Sequence, residues 1–291
     1  MRLLINCHLT RCDPNLPANS PTGLTNRNTP NILFGNTRNS LTTCLIFVDT
    51  FRYPDYIRTM NKMKPIPYRH RPRGLTILYE DKDIIVIDKS SGLLTVEATY
   101  EKEKTAHHIL TTYIRKGSFK SKKELFVVHR LDRDTSGVLV FAKSFEAKEN
   151  LKLQWKSVKK IYVAVVHGIL KEKTGTITSY LAENEDYEVS SVKYPGKGEL
   201  AKTRYKVIKE AKKFSLLEIE LLTGKKNQIR VHFSEKGHPL VGDDKYGKKG
   251  EPKSRLALHS HYLTFRHPHS GKELTFEAEV PGFFKSFFEN V

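Results

Sequence analysis

The stretch His129–Lys143, HRLDRDTSGVLVFAK, sets one carboxylate, Asp132, between Arg130 and Arg133, adds the hydroxyls of Thr135 and Ser136, and runs through Gly137 into the apolar letters VLVF. A polar loop that feeds a buried strand fixes its side chains on the rim of a sheet, where binding and catalytic groups are commonly carried. A guanidinium within about 4–6 Å of a carboxylate favours the charged form and lowers its pKa by roughly 1–3 units, so this spacing predicts an ionised Asp132 at neutral pH. An ionised, well-held carboxylate can act as a nucleophile. The same letters also describe a solvated ladder of surface charges, and the loop by itself does not choose between the two.

Outward from this stretch, LFVVHR reads as a strand entering the loop and GVLVFAK as a strand leaving it. Ser144 then opens a helix in which Ala147, Leu151, Trp155 and Val158 recur at helical spacing, a core-facing stripe in which Trp155 serves packing rather than base stacking. Upstream, LTILYE and IIVIDK are short strands joined by the turn residues of DKD, and the SSG after Lys89 breaks the second. Thr105 can cap a helix through Lys116 with His108, Ile109 and Tyr113 on one face. Downstream come KIYVAVVHG, TGTITSYL, the acidic and exposed ENEDYE, TRYKVIKE and FSLLEIELLTG. Many adjacent strands with few helices between them predict a mixed α/β (α+β) fold, a central and mainly antiparallel sheet with flanking helices.

The chain has 291 residues and a formal net charge of +18, enough for one sizeable domain plus an extension. A basic balance of this size predicts a polyanionic partner, nucleic acid first and an acidic membrane surface second. The charge is uneven. Residues 1–74 carry eleven Lys/Arg against three Asp/Glu and are rich in Asn, Thr and Pro with poor periodicity, which predicts a basic, mostly disordered extension ahead of a domain spanning 75–291. Methionine occurs only at Met1, Met60 and Met63, so a later translation start and a targeting leader stand as alternatives for that extension. Cys7, Cys12 and Cys44 all lie there without CxxC spacing, which supports neither a disulfide framework nor a zinc site and implies a reducing, cytoplasmic setting. No run of about 18 apolar residues occurs, so no helical membrane span is expected.

The string HRLD, two residues, then TSG resembles the first signature of the RluA-type RNA pseudouridine synthases, whose catalytic aspartate falls on Asp132. KIYVAVVHG resembles the second and puts the family's tyrosine on Tyr162. LLTGKKNQIRVHFSEKGHPLVGDDKYG resembles the third and puts the arginine that pairs with the aspartate on Arg230. RLALHSHYLTFRHP, Arg255 to Pro268, resembles the closing strand, so the likeness runs collinearly from about Leu75 to about Phe284. Two departures accompany it. Where the family has GRTHQIR this chain has Lys225 and Asn227 in place of the first Arg and the His, and a Lys cannot offer a bidentate fork. The turn Asp88–Gly92, DKSSG, replaces an NKPAG-like turn and should be less rigid.

The resemblance implies an isomerase that acts on structured ribosomal or transfer RNA as a monomer, without cofactor or metal. It implies catalytic roles for Asp132, Tyr162 and Arg230, with Arg130, Arg133, Lys225 and Lys226 as RNA contacts. Read without it, Tyr162 is equally a core tyrosine and Arg230 a helix-surface charge. Two other function classes share these letters. One is a catalytically silent RNA-binding factor, which would lack Asp132 or Arg230. The other is a glycosidase-like hydrolase, which needs a second carboxylate about 5–9 Å away, Asp134 being nearest in sequence. Gly242–Lys249, GDDKYGKK, imitates a P-loop but has Lys249 where magnesium needs Ser or Thr. The pairs His259/His261 and His267/His269 have HxH spacing, yet no carboxylate or cysteine in that stretch completes a metal site.

Overall fold

A computed structural model describes residues 72–118, 120–250 and 254–289. All but the last three residues of the expected extension, its cysteines included, lie outside the described residues.

Leu75–Glu80 (β1) and Ile84–Lys89 (β2) pair antiparallel. Asp81 makes the turn between them, its Oδ1 accepting the N–H groups of Asp83 and Ile84 at 2.8 Å each, the local side-chain bonding that suits Asp to turns. Helix α1 follows at Ala106–Ile114, with Thr105 accepting from the His108 N–H. Its buried face is Ala106, Leu110 and Ile114, so the expected face of His108, Ile109 and Tyr113 is corrected by about one position; His108 points to solvent. The strand expected over LFVVHR reduces to Phe126–Val127 (β3). Ser136–Ala142 (β4) is buried at every residue, and Ser144 caps α2, Phe145–Gln154, whose Ala147 and Leu151 are buried as the stripe predicted.

Lys159–His167 (β5), Thr174–Glu183 (β6), Val189–Val192 (β7), Glu199–Ala211 (β8) and Phe214–Leu221 (β9) carry the chain to α3, Gln228–Glu235, and then to Leu258–Arg266 (β10) and Glu273–Glu277 (β11). The sheet runs β1-β2-β4-β10-β5-β9-β8-β6-β7, with β3 beside β4 and β11 beside β10. Every pairing is antiparallel except β4 with β10. The expected fold class is the observed one.

Alternation along the strands decides what each face touches. Ile85, Ile87, Leu139, Phe141, Tyr162 and Ile219 share one core with α1 and α3, while Ile84, Val86, Val138, Val140 and Leu263 share the other with α2. Both faces of β2 and β4 are covered, which is why their sequences read as unbroken apolar runs. Truncating a side chain such as the fully buried Phe141 to Ala should cost about 3–5 kcal/mol. The face under α1 and α3 is the one that carries Tyr162 and the helix holding Arg230.

Candidate active site

The loop between β3 and β4 is irregular, and its shape comes from neighbours that bind its backbone. The hydroxyl of Thr95 donates to the Leu131 carbonyl at 2.8 Å and accepts the Leu131 N–H at 3.2 Å. On the far side of Asp132, the Gly92 N–H and the Lys89 Nζ both donate to the Arg133 carbonyl, and Ser91 Oγ donates to that of Asp134 at 2.7 Å. The Asp88–Gly92 turn, expected to be loose, is thus tied directly to the loop that carries Asp132. Gly137 ends the loop at φ +114°, and a Cβ there would lie 2.1 Å from the Ser260 carbonyl oxygen. Only glycine lets β4 come this close to β10.

In the sequence Lys89 only closes the strand IIVIDK ahead of the SSG turn. Its side chain is fully buried, and its ammonium donates to the carbonyls of Ser90, Leu93 and Arg133. Burial pulls its pKa down to about 7, against the pull of the Asp134, Asp132 and Asp88 carboxylates. The signal that could have found it is phase: in IIVIDK, Lys89 stands in step with the core-facing Ile85 and Ile87.

Asn227 enters α3 at φ +53°, a left-handed conformation that Asn tolerates better than most residues. Its amide donates to the Tyr246 hydroxyl at 3.1 Å, so it ties the start of the helix to the Asp243–Tyr246 turn. Gln228, also missed from sequence, is buried and braces the turn. Its Oε1 accepts from Thr223 and from the Lys225 N–H, and its Nε2 donates to Thr203 and to the Lys202 carbonyl.

One turn into α3, Arg230 spends its Nε and one terminal nitrogen on Asp243 at 2.8 and 2.7 Å, and reaches Asp244 at 3.2 Å. Its other terminal nitrogen lies 3.5 Å from Oδ2 of Asp132. Burial opposes the charge of Arg230, but Asp243, Asp132 and Asp244 outweigh it and its pKa rises. The segment that imitated a P-loop therefore supplies the carboxylate that aims Arg230.

The expected electrostatics of Asp132 need correction. Arg133 is turned to Asp134 at 3.1 Å and lies 3.9 Å from Asp244, and among the described residues Arg130 has no ion-pair partner. Neither sequence neighbour holds the carboxylate; Arg230 does. The net shift is also opposite to the expectation. Burial raises the Asp132 pKa, and the opposing pull of Arg230 and Lys89 does not restore it. The side chain nevertheless remains 33% exposed, because it opens onto a cleft.

That cleft, of about 660 Å³, is lined by Asp132, Tyr162 and Arg230 together, and by Arg130, Arg133, Lys225 and Lys226. Every site residue expected from the sequence meets there. Tyr162 lies on the same sheet face, and its phenol is pushed up to about 12 by burial and by the Asp132 charge, so it stands as a neutral hydroxyl beside a carboxylate. Lys225 and Lys226 are already paired, with Glu199 at 2.6 Å and with Glu183. Asp134 is engaged by Arg133 and does not line the cleft, which removes the nearest second carboxylate a glycosidase would need.

The histidine pairs prove to be hydrogen-bonded. His259 meets Ser136 Oγ at 2.9 Å, and His261 meets the Ala278 carbonyl at 2.8 Å. His267 does meet carboxylates, brought from the β1–β2 turn: its ligand atom lies with those of Asp81 and Asp83 within 4.8 Å of one another. Its Nδ1 accepts the N–H groups of His269 and Ser270, so the proton of the neutral ring sits on Nε2, directed at Asp81. This is hydrogen-bond geometry, without the free lone pair a metal requires.

Residues 83–235 match the family model described as RNA pseudouridylate synthase. An uncharacterized RNA pseudouridine synthase of Mycoplasma genitalium is 38% identical over 71% of this chain and 67% of its own length, and one of Bacillus subtilis is 36% identical over 76% and 74%. The ribosomal large subunit pseudouridine synthase D of Neisseria meningitidis is 36% identical over 72% of this chain and 59% of its own. The solved human RNA pseudouridylate synthase domain containing 1 superposes with a TM-score of 0.59 at 25% identity, covering 77% of this chain and 89% of that one. The family match and these relatives define an RNA-modifying isomerase. The chain belongs to the RNA pseudouridylate synthase family, the RluA-type group, and converts uridine to pseudouridine in RNA. Among the described residues no helix is long and apolar enough to cross a membrane.

Proposed function

We propose that the chain isomerises a uridine in structured ribosomal or transfer RNA, with Asp132 as the nucleophile. Ribosomal RNA is favoured by the name of the Neisseria relative. Asp132 attacks either the sugar C1′ or the base C6, the N1–C1′ bond breaks, the uracil turns, and C5 rejoins C1′. The observation that carries the reading is the Asp132–Arg230 contact of 3.5 Å, the one ion pair of Asp132 among the described residues, inside a cleft that also holds a neutral phenol. Tyr162 offers a flat ring for the uracil and a hydroxyl that can relay the C5 proton.

A uridine stacked in a helix cannot reach Asp132, so it must be everted at a cost of a few kcal/mol. Phosphate contacts offset that cost. Arg130, exposed and without a described partner, is free to fill the vacated stack, whereas Arg133, Lys225 and Lys226 must exchange their carboxylate partners for phosphate.

The test is Asp132→Asn. It keeps the shape and removes the charge, so RNA affinity should stay within a few-fold while pseudouridine formation falls by more than about a thousandfold. Undiminished product would remove Asp132 from the mechanism.

A further inference from the structure

The cleft extends beyond what the reacting centre occupies. From Tyr162 it continues along β5 to Lys160 and is walled there by Trp155, His129 and Val128. Lys160 stands two residues before Tyr162 on the same face of the strand, about 7 Å away along the chain, roughly one nucleotide of an extended RNA.

Trp155 packs partly against the core under α2 and lies on the His129 ring, with centroids 4.5 Å apart. It is only half-buried, and its indole N–H is given to no described acceptor. The Lys160 ammonium lies 5.9 Å from the indole centroid. Although Lys160 is buried, it gives only two of its three N–H bonds to protein, to the carbonyls of Trp155 and Val158 at 3.3 and 2.7 Å. The third is directed to no described residue. Lys156, exposed one position beyond Trp155, adds a further positive charge.

We propose that Trp155 and Lys160 form a second nucleotide subsite, which holds the residue adjoining the everted uridine, its base against the indole and an oxygen of its base or phosphate on the Lys160 ammonium. The inference rests on the RNA reading of the same cleft. A π-face that accepts any base beside a fixed cation binds single strands with little sequence preference, so this end of the cleft holds the strand while the Asp132 end acts on it.

Trp155 is the single tryptophan of the chain, so its emission reports on this subsite alone. The full-length chain is titrated with a fluorescently labelled ribo-oligouridylate at low salt, following indole emission and label anisotropy together. The subsite predicts that emission falls by about half or more with the same midpoint as the anisotropy. Trp155→Leu should weaken binding by about fivefold to a hundredfold and raise KM for RNA by the same factor, with Trp155→Phe in between. Anisotropy that rises at constant emission overturns the proposal, as does the absence of any binding. The wild-type titration decides the matter even where a variant fails to fold. Pseudouridine formation without quenching would sink the subsite and leave the uridine chemistry standing; quenching without pseudouridine would do the reverse.

Discussion

Asp81, in the turn between β1 and β2, and Asp132, above β4, each face one nitrogen partner from a distant part of the chain: Nε2 of His267 at 2.8 Å and a terminal nitrogen of Arg230 at 3.5 Å. Their surroundings differ in how much of the carboxylate is used. Asp81 accepts from the Asp83 and Ile84 N–H groups, from the Tyr79 hydroxyl and from His267. Burial works against its charge, yet those donors together outweigh it and its pKa is lowered. Among the described residues the Asp132 carboxylate has the one long contact with Arg230, and burial raises its pKa. A carboxylate with four donors is a structural tie between two hairpins. One with a single donor, opening on a cleft, retains the lone pairs a nucleophile needs.

The contrast breaks most sharply at Arg230. Arg230→Lys cannot fork onto Asp243 and also reach Asp132, so the carboxylate loses both its orientation and its main compensating charge. Turnover should fall by about a hundredfold to a thousandfold, with RNA affinity changed less than about threefold. The pH dependence sharpens this. On the proposed mechanism Asp132 must be ionised to attack, so activity should fall as pH drops through its pKa, and loss of the guanidinium raises that pKa further. The acid limb of the single-turnover rate should move to higher pH; an unmoved limb would show that Arg230 does not act on Asp132.

Such a contrast was only half legible in the letters. The sheet, the α2 stripe and the meeting of Asp132, Tyr162 and Arg230 could be read from apolar alternation and from the three signatures, since each depends on local pattern or on collinear order. What failed depends on neighbours distant in sequence. Arg130 and Arg133 flank Asp132 in order, but side chains at adjacent loop positions point in different directions, and the effective guanidinium comes from α3. Asp243 and Gln228 look like ordinary turn and helix residues until Arg230 and the Thr223–Lys225 turn are seen to rest on them. The carboxylates beside His267 come from residues nearly two hundred positions earlier, which a search within its own strand could not find.

At the Asp81 end, Asp81→Asn keeps the shape but removes the charge that four donors address. Leaving buried or half-buried donors poorly matched should cost about 1–3 kcal/mol by urea unfolding near neutral pH, while pseudouridine formation at 25 °C stays at the wild-type rate. The pKa of Asp81 is lowered on folding, so its contribution is present above the ordinary aspartate range and disappears as pH falls through the depressed folded value. Wild type and variant should therefore converge in stability under acid conditions. A gap that persists there would trace the loss to packing instead of charge.

The smallest expected effect has the opposite sign and falls on Asp132, the proposed nucleophile. Because folding raises the Asp132 pKa, its ionised form is less comfortable in the folded chain than in the unfolded one. Stability is therefore lost as pH rises from the unfolded value through the folded one, and the penalty is complete above it. Asp132→Asn should remove that penalty and raise the urea midpoint at pH 7, by less than about 1 kcal/mol once solvent screening of a partly exposed group is counted. The gain should vanish below about pH 4, where the wild-type side chain is protonated in both states. A variant that is inactive and also less stable at neutral pH would mean that Asp132, like Asp81, is held for the fold, and the distinction drawn between the two clusters would fail.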